Sequence, residues 1–178
     1  MKNIILGVTG SIAAYKAADI ANILTKEGNS VNVIMTKAAT EFITPLTFRT
    51  LTKNKVYTQM FEDDNPSEVA HIALAERADL ALIAPASADI MAKAAAGIAD
   101  DMLTAVLLAL RDKPVVFCPA MNTNMYENPV TQRNIRILHD MGHHFVEPRE
   151  AMLACGTVGR GALAENNVIL EAVRKLLA

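Results

Sequence analysis

Four short apolar runs, separated by segments with helical periodicity, constrain the fold of this chain more than any other feature. The runs are rich in β-branched and aliphatic residues and predict buried strands at Asn3–Thr9, Val31–Thr36, Leu80–Ala84 and Pro114–Cys118. Helices are predicted at Ser11–Lys26, Ser67–Arg77, Ala88–Ala96, Met102–Arg111, Pro129–Met141 and Val168–Leu177. Strands that alternate with helices form a parallel sheet covered on both faces. We therefore expect an α/β fold, a Rossmann-like three-layer α/β/α arrangement with a mostly parallel sheet.

The composition favours one folded domain and excludes several classes of protein. A chain of 178 residues suits a single domain spanning 1–178, and a hydrophobic content of 52% excludes intrinsic disorder. A net charge of -2 with scattered basic residues predicts no nucleic-acid partner. The chain lacks an apolar run of about 18 residues and a signal-peptide pattern, so we expect no membrane partner and a cytoplasmic location.

The cysteines and histidines do not predict a disulfide framework or a metal site. Cys118 and Cys155 are the only cysteines, and we expect each to be a reduced, packed thiol unless it has a catalytic role. His139 and His143 have the spacing of a helical metal pair, but Gly142 ends the helical pattern between them. We therefore predict no metal.

Polar or turn-forming residues follow each predicted strand, where open α/β sheets bind their ligands. Gly10 and Ser11 form a tight turn before a helix, which favours a bound phosphate, although a simple capped turn explains them equally well. After the predicted strand Leu80–Ala84, Ser87 and Asp89 could contact a ligand or serve only as helix N-caps.

Three further features carry possible chemistry. In the segment 119–129 the amide of Asn122 could bind a carboxylate, or the asparagines could serve turns while the methionines fill the core. The glycine-rich segment 154–161 predicts a mobile loop, on which the Cys155 thiol could act as an acid or a nucleophile or could be incidental. His71 could be a general base, although a lone histidine on a helix is more often structural.

Taken together, four motifs in this order resemble the homo-oligomeric flavin-containing cysteine decarboxylases over essentially the whole chain. The motifs are GSIAAYK at 10–16, PASAD at 85–89, PAMNTNMY at 119–126 and ACGTVGRG at 154–161. The resemblance implies bound FMN, with its phosphate at Gly10, Ser11, Ile12 and Thr36 and the rest of the cofactor at Ser87, Ala88, Asp89, Ile90 and Ala120.

The resemblance also implies roles for four other residues. His71 matches the family's essential histidine, Asn122 matches the residue that holds the substrate carboxylate, and Met125 belongs to the same substrate-binding motif. Cys155 matches the flap cysteine that protonates the intermediate. The implied substrate is 4′-phospho-N-pantothenoylcysteine of coenzyme A biosynthesis. It would be oxidised to a thioaldehyde, lose CO2 and be re-reduced as an ene-thiolate to 4′-phosphopantetheine. The implied assembly is a homo-oligomer, a trimer or a dodecamer built from trimers.

Other functions remain open at this point. A peptidyl-cysteine decarboxylase of the lantibiotic type would share the flavin site, whereas a flavin prenyltransferase should lack the PAMN motif and the flap cysteine. A non-catalytic flavoprotein that regulates a partner is a third possibility. The chain departs from the family pattern at Asp89-Ile90, at Tyr126 in place of tryptophan, at Thr157 and at Ala162-Leu163.

Overall fold

The computed structural model describes residues 1–61, 68–152, 156 and 158–178. Its centre is a six-stranded sheet in the order β3-β2-β1-β4-β5-β6, and every adjacent pair of strands is parallel. The strands are β1 Asn3–Val8, β2 Ser30–Met35, β3 Val56–Tyr57, β4 Leu80–Ala86, β5 Val115–Pro119 and β6 His144–Phe145. A separate antiparallel hairpin pairs β7 Arg149–Met152 with β8 Val158–Ala162.

Nine helices lie within the described ranges. They are α1 Ala14–Lys26, α2 Lys37–Thr40, α3 Pro45–Thr52, α4 Ala70–Arg77, α5 Ala88–Ala96, α6 Met102–Ala109, α7 Thr123–Glu127, α8 Pro129–Asp140 and α9 Asn166–Leu177. None of them is long and apolar enough to cross a membrane.

The two faces of the sheet form two separate hydrophobic cores. Ile4, Leu6 and Val8 of β1 pack with α1 and α9 on one face, whereas Ile5 packs with α4, α5, α6 and α8 on the other. This alternation along one strand arises because successive side chains point to opposite faces. The three-layer α/β/α prediction is therefore confirmed.

Gly7 shows how tightly α6 packs on the sheet. A Cβ atom at this position would lie 2.7 Å from Cδ1 of Ile83 and 2.8 Å from Cδ1 of Leu103. A larger residue at this point of β1 would force the buried side chains of Ile83 and Leu103 to shift in a close-packed core.

The main differences from the predicted elements are short segments. The predictions did not include α2, α3, α7, β3 or β6, which have two to eight residues each and too little sequence for a clear periodicity. Helix α1 begins at Ala14 instead of Ser11, because residues 11–13 form a turn. The glycine-rich segment 154–161 was predicted to be a loop, whereas its residues 158–161 belong to strand β8 of the β7–β8 hairpin.

Candidate active site

The strand order places a crevice at the carboxyl ends of β1 and β4. The chain runs outwards from β1 to β2 and β3 and then returns to β4 on the opposite side of β1. At such a reversal the connections leave the sheet in opposite directions, and ligands of α/β proteins bind in the resulting opening. The segments beginning at Thr9 and Pro85 meet there.

Thr9 joins the two segments. Its buried hydroxyl donates a 2.7 Å hydrogen bond to the carbonyl of Pro85 and accepts a 2.9 Å bond from the N–H of Ser87. Sequence reasoning assigned Thr9 no role of its own. Its partners lie 76 and 78 residues away, so nothing local in the sequence indicated this contact.

The turn before α1 has the chemistry of an anion site. Ser11 donates its N–H to the Thr9 carbonyl at 2.8 Å, and its hydroxyl accepts the N–H of Ala13 at 3.3 Å. The N–H groups of Gly10 and Ile12 have no acceptor within the described ranges. Unpaired donors at a helix N-terminus favour a phosphate, so this turn fits the phosphate of FMN.

Gly10 also allows the first two turns to approach each other closely. A Cβ atom on Gly10 would lie 2.5 Å from the Cβ of Ala38, at the start of the helix that follows β2. The absence of a side chain at Gly10 therefore permits close packing of the two turns.

Ser87 and Thr36 both act as helix N-caps. The Ser87 hydroxyl accepts the N–H of Ile90 at 3.3 Å, and the Thr36 hydroxyl accepts the N–H of Ala39 at 3.2 Å. Ser87 is therefore a helix N-cap, which was one of the two roles considered for it. Capping uses only a lone pair of the hydroxyl oxygen, so the hydroxyl proton can still be donated to a ligand. Ile90 is 1% exposed in the core, so its side chain does not line the crevice.

One cavity of about 550 Å³ connects the first turn to the segment that contains Asn122. Predicted site residues along it are Gly10, Ser11, Ile12, Ser87, Ala88, Ala120, Asn122 and Met125. The structure therefore brings most of the predicted cofactor residues and both predicted substrate residues to one opening. The exposed side chain of Met125 contradicts the interpretation that it fills the core.

An adjoining cavity of about 580 Å³ shares Gly10, Ser87, Ala88 and Met125 with the first and adds Thr36 and Asp89. Lys93 in this second cavity lies 3.1 Å from Asp100 and 3.5 Å from Asp89. The hydrogen bond to Asp100, with the charge of Asp89, raises the pKa of Lys93 despite partial burial. This ammonium group therefore stays charged and offsets part of the charge of Asp89.

Asn122 lies at the start of α7, and its placement depends on close contact with β8. Its Oδ1 accepts the N–H of Asn124 at 2.9 Å, which caps the helix. The preceding residue, Met121, donates its N–H to the carbonyl of Gly161 at 2.9 Å. A Cβ atom on Gly161 would clash with the carbonyl of Met121, so a glycine in β8 is required for this contact.

The β7–β8 hairpin supplies one wall of the first cavity, through residues on both strands and after them. Gly159 and Gly161 of β8 allow the hairpin to pack closely on the segment that contains Met121 and Thr123. Cys155 lies outside the described residues, between the two strands in sequence.

His71 is half-buried on α4 and lines neither cavity. Helix α4 packs against α6. Within the described residues, His71 therefore does not share a cavity with Asn122.

Cys118 and His143 have structural explanations. Cys118 is fully buried in β5, and burial raises the pKa of its thiol, as expected for a packed, protonated residue. His143 packs against the ring of Phe117 at 5.7 Å between centroids, and burial lowers its pKa. Among the residues that the structure describes, no group of three acidic, histidine or cysteine side chains could hold a metal.

Comparison with known proteins identifies the family to which this chain belongs. The Flavoprotein family model matches residues 1–178, and the chain belongs to that family. A probable phosphopantothenoylcysteine decarboxylase from Streptococcus mutans is 52% identical over 177 residues, or 99% of each chain. The coenzyme A biosynthesis bifunctional protein CoaBC from Bacillus subtilis is 47% identical over 99% of this chain, which spans 43% of that longer relative.

Solved structures show the same architecture. A cysteine-to-serine variant of PPC decarboxylase complexed with pantothenoylaminoethenethiol superposes with a TM-score of 0.91 at 33% identity, covering 98% of this chain and 97% of the other. The FMN binding protein AtHal3 superposes with a TM-score of 0.87 at 34% identity, covering 98% and 95%. The flavoprotein membership predicted from the four motifs is confirmed.

Proposed function

We propose that this chain is an FMN-dependent carboxy-lyase that converts 4′-phospho-N-pantothenoylcysteine to 4′-phosphopantetheine in coenzyme A biosynthesis. The observation that carries the proposal is the cavity that joins the anion-binding turn at Gly10 to Asn122. The full-length similarity to a probable phosphopantothenoylcysteine decarboxylase supports the choice of substrate.

In this proposal FMN is held at the carboxyl ends of β1 and β4. The free N–H groups of Gly10 and Ile12 bind its phosphate, and the segments at Ser87 and Ala120 contact the rest of the cofactor. When bound, FMN accepts and returns the hydride that makes loss of CO2 possible. Thr9 keeps the two cofactor-binding segments in register.

Asn122 binds the carboxylate that leaves as CO2. Its amide is neutral, and this suits the reaction, because negative charge moves from the carboxylate into the remaining fragment as CO2 forms. A cation at this position would stabilise the charged reactant more than the transition state and would slow the reaction. A hydrogen-bonding amide orients the group with a smaller penalty.

Cys155 donates the final proton, and His71 reaches the site from a second copy of the chain. The position of His71 outside both cavities supports a homo-oligomer, a trimer or a dodecamer built from trimers, in which a neighbouring α4 completes the site. The exposed apolar side chains of Val69 and Ile72 flank His71 and are suited to burial against that neighbour.

Mixed oligomers test the shared site. Neither His71→Asn nor Asn122→Ala should decarboxylate the substrate alone, but oligomers assembled from both should contain some complete sites and recover part of the activity. Sedimentation of each variant confirms that assembly is intact. Inactive mixed oligomers of normal size would contradict a site shared between copies.

We also propose that residues 1–178 act as one flavoprotein domain in the cytoplasm. The family match over the whole span supports a single domain. A metabolic substrate and the buried thiol of Cys118 are consistent with that reducing compartment.

The direct test is mass detection of 4′-phosphopantetheine after FMN-reconstituted protein is incubated with 4′-phospho-N-pantothenoylcysteine. Asn122→Ala should retain the flavin spectrum but release no CO2. Cys155→Ser should release CO2 and accumulate the oxidised ene-thiol. Protein that binds no FMN, or that decarboxylates only a peptide with a C-terminal cysteine, would contradict the assignment.

A further inference from the structure

The first cavity has a charge pattern that the decarboxylation chemistry does not require. Two cations, Lys16 on α1 and Arg149 on β7, line it, and no carboxylate lines it within the described residues. The two elements are distinct parts of the wall, a helix that follows the first turn and a strand of the hairpin. A cavity with this lining favours an anionic ligand.

We propose that Arg149 and Lys16 bind the phosphate monoester of the substrate and make the enzyme prefer phosphorylated over unphosphorylated pantothenoylcysteine. This inference rests on the proposed function. It adds a second anchoring point to the one at Asn122, at the opposite end of the substrate molecule.

Lys16 is placed where the helix itself disfavours a cation. It is the third residue of α1, whose first turn contains no acidic residue. The N-terminal end of a helix carries partial positive charge, so an ammonium group there costs stability unless an anion is nearby. Lys16 is half-buried and has no ion-pair partner in the described part of the chain.

Arg149 has one acidic neighbour, which lies at the N-cap of α9. Its Nε is 2.9 Å from Oε1 of Glu165, but the alignment does not make a hydrogen bond, and within the described ranges this buried Nε has no hydrogen-bond partner. This is an incomplete interaction for a guanidinium group, which can donate five N–H bonds in a planar fork. A phosphate oxygen is the ligand that this fork fits best.

The other anions of the reaction already have suitable partners. The FMN phosphate has the free N–H groups of Gly10 and Ile12 at the start of the turn. The carboxylate that leaves as CO2 requires a neutral partner, and Asn122 supplies one. The substrate phosphate is the remaining anion, and it lies at the far end of the pantothenoyl chain from the reacting carboxylate.

The experiment compares kcat/KM for 4′-phospho-N-pantothenoylcysteine and for N-pantothenoylcysteine. For both Arg149→Gln and Lys16→Gln, we expect the ratio of the two values to fall about tenfold or more, as for loss of a charge-assisted hydrogen bond. Arg111→Gln is the matched control, because Arg111 is exposed, forms an ion pair with its neighbour Asp112 and lines neither cavity. The wild-type ratio should also fall with added salt.

Fluorescence titration with FMN separates the two possible phosphates. Unchanged FMN affinity with a reduced substrate ratio supports the proposal. A weakened FMN affinity with an unchanged ratio overturns it, because the cations would then serve the cofactor. If the wild-type protein decarboxylates neither substrate, the proposed function fails; if it decarboxylates both with the same ratio in all variants, only this inference fails.

Discussion

The hydroxyl of Tyr126 donates a 2.6 Å hydrogen bond to Oε2 of Glu147, and the same oxygen accepts a 2.8 Å bond from Arg160. The guanidinium of Arg160 also lies over the Tyr126 ring, 5.5 Å from its centroid. Tyr126 belongs to α7, which begins after Asn122, and Arg160 belongs to β8 of the hairpin. The three side chains therefore tie the proposed carboxylate-binding segment to the hairpin.

Removing the Tyr126 hydroxyl should loosen this connection. We expect Tyr126→Phe to lower the free energy of unfolding by about 1–2 kcal/mol, because Glu147 loses a donor in a partly buried site. Urea denaturation measures this loss. Glu147→Gln keeps an acceptor for the tyrosine and should cost less; equal stability of Tyr126→Phe and the wild type would show that the bond contributes nothing.

The same tyrosine should make stability depend on alkaline pH. Burial, reinforced by the charge of Glu147, raises the pKa of Tyr126 to about 12. Because the folded pKa lies above the unfolded value near 10, this contribution to stability is complete below about pH 10 and is lost as pH rises towards 12. Ultraviolet titration of the folded protein should show one late phenolate that is missing in Tyr126→Phe. A late phenolate that persists in that variant would assign the shift to another tyrosine.

Close packing of β8 on α7 predicts a coupled pair of substitutions. A Cβ atom at Gly159 would clash with the buried hydroxyl oxygen of Thr123, which has no hydrogen-bond partner among the residues that the structure describes. Gly159→Ala should therefore destabilise the fold by about 1–3 kcal/mol. In a Thr123→Ala background the penalty should be clearly smaller, because the clashing atoms are gone. Additive effects in this double-mutant cycle would contradict direct contact between the two positions.

Thr9 offers a test of the link between the two segments that we propose bind the cofactor. Thr9→Val leaves the Pro85 carbonyl and the Ser87 N–H without their buried partner, so we expect a loss of about 1–3 kcal/mol and weaker FMN binding. Thr9→Ser retains the hydroxyl and is the matched control. Thermal unfolding and FMN titration measure the two effects. Equal FMN affinity in the valine and serine variants would show that the cofactor site does not depend on this link.

Local patterns in the sequence were sufficient for the layers of the fold. The β-rich runs that contain Ile5 and Leu82 are buried strands, and Ala88–Ala96 has the predicted helix bounds. The turns after β1, β4 and β5 contain Ser11, Ser87 and Asn122, which line one cavity. These features are predictable because burial of an apolar face and the turn that follows a strand are encoded by neighbouring residues.

Contacts between distant segments could not be read in this way. Thr9 bonds residues more than 70 positions away, Gly161 is required by the carbonyl of Met121, and Glu147 pairs with both Tyr126 and Arg160. The sequence by itself determined the α/β layers and the positions of the turns at the carboxyl ends of the strands. Only the tertiary structure decided that His71 lies apart from them and that Lys16 and Arg149 share a cavity, because these relations depend on how elements far apart in the chain pack together.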